Sequence, residues 1–160
     1  VFNIERNGES IEVEITSEEN PDRPGSPYIG AIVGIYFTPN FDIDFTLQDV
    51  GGPSAGLMFA TGIIDKRTPE DLTGGGHVAG TGTIKPDGSV GPIGGIRQKL
   101  AGARNAGAEL FVMPERHCVE SQGHIPKGLT VVPVATLDDT VDAILSWVAG
   151  EPTVTCPAQD

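Results

Sequence analysis

The chain has 160 residues, enough for one compact domain with an appendage and a real apolar core, but too few for two full domains. Its 22 acidic against 10 basic residues give a formal charge of -12, which disfavours nucleic acid and anionic membrane as partners. No apolar run approaches the ~18 residues of a membrane span, and frequent glycine (22) and proline (13) fit a mixed fold with many tight turns rather than a helical bundle.

Val1 to Thr16 alternates, with Phe2, Ile4, Ile11, Val13 and Ile15 on one face and Asn7-Gly8 between the two runs. That pattern predicts a β-hairpin with a primed two-residue turn. A lone hairpin is marginal in water, and the chain starts at Val1 in mid-strand without a methionine, so the expectation is a fragment whose hairpin completes something cut away. Residues 17–27, with Pro21, Pro24 and Pro27 among charged residues, read as a linker.

Tyr28 to Phe37 is β-rich and largely apolar, which predicts a central strand. Phe41 to Leu47 alternates apolar and polar, which predicts a second strand with one buried face. It runs into Gly51-Gly52-Pro53-Ser54-Ala55-Gly56, a small-residue turn followed by the apolar run Leu57 to Ile64. That run is apolar around most of the helix circumference and predicts a buried helix. Ser54 therefore sits where a loop becomes a helix, the place where unpaired N–H groups and the macrodipole stabilise an oxygen gaining negative charge. Taken alone, such a serine is also an ordinary N-cap.

The glycine-rich stretch Gly74 to Gly95 predicts hairpin-like turns around His77 to Ile84, with Asp87-Gly88 as a two-residue turn. Gly95 to Gly107 is helical in pattern: Ile96, Leu100, Ala103 and Gly107 form a narrow stripe. Glu109 to Met113 and Leu129 to Val134 are short buried strands, and Thr136 caps a terminal helix to Val148 with the stripe Leu137, Val141, Ile144, Leu145 and Val148. Strands alternating with helices predict a mixed α/β or α+β layered domain.

Gly52 to Gly56 formally matches the G-x-S-x-G nucleophile elbow, but an α/β-hydrolase needs an acid, then a histidine and a larger sheet after the serine, so that match is rejected. The histidines are His77, His117 and His124. His117 and His124 flank Cys118 in a polar stretch and read as surface residues; the set lacks the usual zinc-ligand spacing, so no metal is expected. The base candidate is Lys99, about 60° from the centre of its helix's apolar stripe. Held against buried surface, a lysine can lose several units from its usual pKa of about 10.4, which supplies a neutral amine as general base. A lysine snorkelling from a stripe edge is the alternative, and Arg104 sits almost as near that stripe. Cys118 and Cys156 are either one disulfide or two unrelated thiols.

Gly-Gly-Pro-Ser-Ala-Gly, then Gly80-Thr81-Gly82-Thr83-Ile84, then Pro92-Ile93-Gly94-Gly95-Ile96-Arg97-Gln98-Lys99-Leu100, followed by Ala103, Gly107 and the strand ending in Pro114, stand in unbroken order. Over residues 29–149 they resemble the proteolytic domain of Lon-type serine proteases. The resemblance implies an α+β fold of several short sheets packed with about four helices over residues 28–160. It implies a serine endopeptidase in which Ser54 is the nucleophile, Lys99 the general base, and the Thr81 hydroxyl a support for the lysine. Backbone N–H groups of Gly52, Ser54 and Ala55 would form the oxyanion hole. Protein or peptide substrates, no cofactor and assembly into a homo-oligomeric ring, a hexamer by the family's habit, are implied as well.

The sequence carries no G-x-x-x-x-G-K-[ST] motif, so ATP-independent action is expected. Its motif versions look closer to smaller Lon-like proteins with a membrane anchor and a PDZ domain ahead of the protease. Residues 1–16 are similar to the last two strands of such a PDZ domain, with 17–27 as linker. That kinship implies an extracytoplasmic protease attached to the cell membrane through a segment outside this chain, and it favours a Cys118–Cys156 disulfide. The chain departs from the family at Gly51, where most members carry an acidic residue, and at Phe45 and Leu47, where many carry histidines. These departures motivate an alternative, a catalytically inactive Lon-fold peptide-binding or assembly module. A phosphate-binding module built on the Gly74 to Gly95 turns is a third reading, against which the acidic charge argues.

Overall fold

The computed structural model describes residues 1–31, 40–44 and 52–157. They fall into two units, Val1–Phe45 and Thr46–Asp160. In the first, β1 (Phe2–Arg6) and β2 (Glu9–Val13) pair antiparallel from Phe2↔Val13 to Arg6↔Glu9. Asn7 and Gly8 take φ of 56° and 82°, the two positive values that a primed turn needs. Residues 17–27, read as a linker, hold a second small ribbon: β3 (Glu18–Glu19) pairs with β4 (Pro27–Tyr28), and the Glu19 carboxylate accepts the Gly25 N–H at 2.9 Å. Pro27 brings no N–H to that ladder, which keeps it short. The strands expected at Tyr28–Phe37 and Phe41–Leu47 lie mostly outside the described residues, as does Gly51; residues 41–44 hold no strand.

The second unit is built on three parallel strands in the order β5 (Val78–Gly80), β8 (Leu110–Pro114), β9 (Thr130–Val134). Between β5 and β8 the chain makes an antiparallel ribbon, β6 (Thr83–Ile84) with β7 (Val90–Gly91), and then α2 (Ile96–Asn105). The hairpin expected around residues 77–84 is thus divided: β5 joins the main sheet, and only β6 turns back onto β7. Ahead of β5, a 3-10 turn (Pro53–Ala55) leads into α1 (Gly56–Arg67). A second 3-10 turn (Glu115–His117) and α3 (Cys118–Ser121) follow β8, and α4 (Leu137–Val148) follows β9. Four α-helices and several small sheets among the described residues make an α+β fold, as expected.

Strand alternation divides the core between the two faces of the sheet. Phe111, Met113 and Val131 pack with Ile96 and Leu100 of α2 and Cys118 of α3. Leu110, Val112, Val132 and Val134 pack with Leu57 of α1 and Ile144 of α4. Helices on both faces explain why β8 reads as a continuous apolar run, for every one of its residues is buried. The stripe read from residue 96 onward holds, with Ile96 and Leu100 fully buried. In α4, Thr136 is the N-cap: its hydroxyl accepts the Asp139 N–H, and the Asp139 carboxylate accepts the Thr136 N–H, a reciprocal capping box.

Helix α1 departs from expectation. Its apolar residues circle the axis, yet only Leu57 and Thr61 are buried. It packs on one face of the sheet through Leu57 and Met58, and Phe59, Ala60, Ile63 and Ile64 are half-buried. Its approach depends on two glycines. A Cβ at Gly80 would collide with the Val112 Cγ2 and the Met58 Sδ, and one at Gly82 would lie 2.9 Å from Val90 Cγ1 and 3.0 Å from Leu57 Cδ2.

Candidate active site

Strand β5 ends where the site begins. The Thr81 N–H donates to the Val112 carbonyl at 3.0 Å, extending the β5–β8 pairing by one residue. The next peptide turns toward the head of α1: the Gly82 N–H donates to the Ser54 carbonyl at 2.9 Å, and the Leu57 N–H donates to the Gly82 carbonyl at 3.0 Å. The Thr81 hydroxyl, nearly fully buried, also donates to the Ser54 carbonyl at 2.9 Å. Three hydrogen bonds therefore tie the residues around Ser54 to the Thr81-Gly82 peptide. They specify the path of Ser54's backbone through the 3-10 turn and leave its side chain free to point elsewhere.

It points to Lys99. The Lys99 Nζ donates to Ser54 Oγ at 3.2 Å, and both residues are half-buried. The two come from opposite layers, since α1 packs on one face of the sheet and α2 on the other. Lys99 sits three residues after Ile96 and one before Leu100, both fully buried, so these anchors hold the lysine stem while its amine extends to the serine. A hydroxyl and an amine in direct hydrogen-bond contact form the minimal nucleophile–base pair, provided the amine is neutral when the proton moves.

The remaining predicted donors are the N–H groups of Gly52, Ser54 and Ala55. Gly52 has φ 84° and ψ 164°, a conformation that suits glycine. Of the N–H groups just beyond, that of Gly56 donates to Pro53 and that of Leu57 to Gly82, so neither is free for an oxyanion. Thr81, assigned to the lysine by resemblance, makes its hydrogen bond with the serine's backbone. Cys118 and Cys156 are joined by a disulfide, which ties α3 to the chain beyond α4.

His117 corrects the sequence reading. Expected at the surface, it is buried; its Nε2 accepts the Ile93 N–H at 3.0 Å, and its Nδ1 lies 3.1 Å from Glu120 Oε2. The spacing of His117 to Glu120 on a helical turn was visible in the sequence, but the Ile93 partner, 24 residues earlier, was not.

Residues 48–147, more than half of the chain, match the family described as the Lon protease (S16) C-terminal proteolytic domain. The chain belongs to the Lon protease family. It is similar to the Lon protease of Lachnoclostridium phytofermentans, 37% identical over 93 residues that cover 56% of this chain and 11% of that protein. It is likewise similar to Lon protease 2 of Bacillus subtilis, 37% identical over 101 residues, 60% of this chain and 17% of that protein. A mitochondrial Lon protease homolog of Debaryomyces hansenii is 33% identical over 96 residues, 58% of this chain and 9% of its own length. The Lon-type chain thus spans only a small part of the relatives it matches. Among the described residues no helix is long and apolar enough to cross a membrane.

Proposed function

We propose that this Lon-type domain is a serine endopeptidase that hydrolyses peptide bonds in protein substrates with Ser54 and Lys99 as a catalytic dyad. The observation that carries the reading is the 3.2 Å contact between Lys99 Nζ and Ser54 Oγ. With Lys99 neutral, the serine O–H donates to Nζ, and as Oγ bonds to the peptide carbonyl carbon the proton passes to the amine. The tetrahedral oxyanion is received by backbone N–H groups at Gly52, Ser54 and Ala55. The resulting ammonium returns its proton to the leaving nitrogen, the C–N bond breaks, and an acyl-serine remains. Water then gives a proton to Lys99 as its oxygen bonds to the ester carbon; the C–Oγ bond breaks, the acid product leaves, and the Lys99 ammonium returns the proton to Ser54 Oγ. The lack of a G-x-x-x-x-G-K-[ST] motif in this sequence supports reading the domain's action as ATP-independent.

Thr81 and Gly82 serve this chemistry by holding the serine's backbone while Lys99 is presented from α2. The Cys118–Cys156 bond supports placement in an oxidising, extracytoplasmic compartment, where disulfides persist. We read residues 1–16 as the end of a PDZ-like domain, 17–27 as its connection and 28–160 as the protease, in a parent protein attached to the cell membrane and working as a ring-forming homo-oligomer. A serine-directed fluorophosphonate tests the dyad: covalent labelling mapped to Ser54 is expected, and a protein that binds peptides but resists labelling would instead be an inactive Lon-fold module.

A further inference from the structure

Helix α2 carries the base, yet its own start is weakly secured. Its N-cap is Gly95, in the left-handed region at φ 71°, with no side-chain capping bond, and Gly94 precedes it. Two glycines in a row would let this end of the helix shift. What holds it lies one residue earlier: the Ile93 side chain packs into the core beside Ile96 and Leu100, and the Ile93 N–H donates to His117 Nε2 at 3.0 Å. A backbone N–H can only donate, so Nε2 is the unprotonated nitrogen and Nδ1 carries the hydrogen, directed at Glu120 Oε2 3.1 Å away. A second strut runs from the Arg97 Nε to the Glu120 carbonyl at 3.3 Å. The segment that supplies these contacts is tied down in turn by the Cys118–Cys156 bond.

We infer that His117, oriented by Glu120, is a positioning residue for the dyad: it fixes the Ile93 peptide and with it the start of α2, so that Lys99, one turn into the helix, meets Ser54 Oγ. This rests on the dyad reading above. His117 touches neither reacting atom; it acts through Ile93 and the helix. A misplaced base of this kind costs rate rather than substrate binding.

The test compares wild type, His117→Leu, His117→Gln and Glu120→Ala at a temperature well below each variant's unfolding midpoint, with active sites counted by fluorophosphonate titration. In His117→Leu, kcat per titrated site should fall about 10- to 100-fold while KM stays within about twofold. His117→Gln offers an amide oxygen to the same N–H and should stay within about fivefold of wild type. The Ile93 amide should exchange with solvent faster in His117→Leu than in wild type or His117→Gln. Should His117→Leu not fold, Glu120→Ala, altered at a half-exposed carboxylate, carries the same expectation in weaker form. A wild-type kcat per titrated site in every variant, with only the unfolding midpoint lowered, would make His117 structural and overturn the inference while leaving the dyad intact. A wild-type protein that neither cleaves nor labels would instead overturn the dyad itself.

Discussion

Thr81 Oγ1 donates to the carbonyl oxygen of Ser54 at 2.9 Å, so the residue that follows β5 and extends its pairing with β8 also locks the backbone of the proposed nucleophile. The same carbonyl accepts the Gly82 N–H at 2.9 Å. Thr81→Val should therefore cost only about 1 kcal/mol, because the carbonyl keeps one partner when the hydroxyl is lost. The rate of peptide cleavage should fall about tenfold from a loosened Ser54, and Thr81→Ser should restore it. Urea unfolding and steady-state kinetics on the pair measure both effects.

Gly80→Ala addresses the approach of α1. The new Cβ would press on Val112 of the central strand and on Met58, and only the methionine can swing aside. Overpacking of this sort costs about 1–3 kcal/mol. A lowered urea midpoint at unchanged m-value, together with slower cleavage because Ser54 begins the same segment, is the expected outcome.

The disulfide closes a separation of 38 residues. In the chain-entropy account that stabilises the fold by about 3 to 4 kcal/mol. Cys156→Ser should lose most of that in equilibrium unfolding, and adding a reductant should then destabilise wild type but leave the variant unchanged.

A pH effect attaches to Asp71. Its pKa is lowered from 3.8, first by the Thr73 side-chain hydrogen bond and then by backbone N–H groups including that of Gly75. A lowered native pKa means that the carboxylate stabilises the fold at pH above the unfolded value and that this contribution is lost as pH falls through the native one. Asp71→Ala should therefore unfold at a lower temperature than wild type near neutral pH, with the gap closing below pH 3.8. Thermal melts from pH 7 to 2.5 read it directly (about that range).

Local patterns carried most of this fold. The α2 stripe, the Asn7-Gly8 turn and the Thr136 cap were each legible because the residues that define them lie within a turn of one another. Ser54 and Lys99 were legible as a pair only through motifs of a known family, since 45 residues separate them and they arrive from opposite faces of the sheet. Two features stayed hidden for the same reason. The burial of His117 depends on a backbone N–H 24 residues away, and the half-exposure of α1 depends on how many layers cover it, which a helical wheel does not record. The sheet membership of β5 was equally non-local, because its parallel partner β8 begins beyond the whole of α2.

The central claim is that Lys99 activates Ser54, and the rate of Ser54 modification measures it most directly. Fluorophosphonate labelling, followed by mass spectrometry in wild type, Ser54→Ala and Lys99→Gln, should give a Ser54 adduct in wild type, none in Ser54→Ala, and labelling slowed by about 100-fold or more in Lys99→Gln. Cleavage of an unfolded protein should be lost in both variants while their circular dichroism stays native. Labelling of Lys99→Gln at the wild-type rate, or full cleavage by either variant, would contradict the dyad.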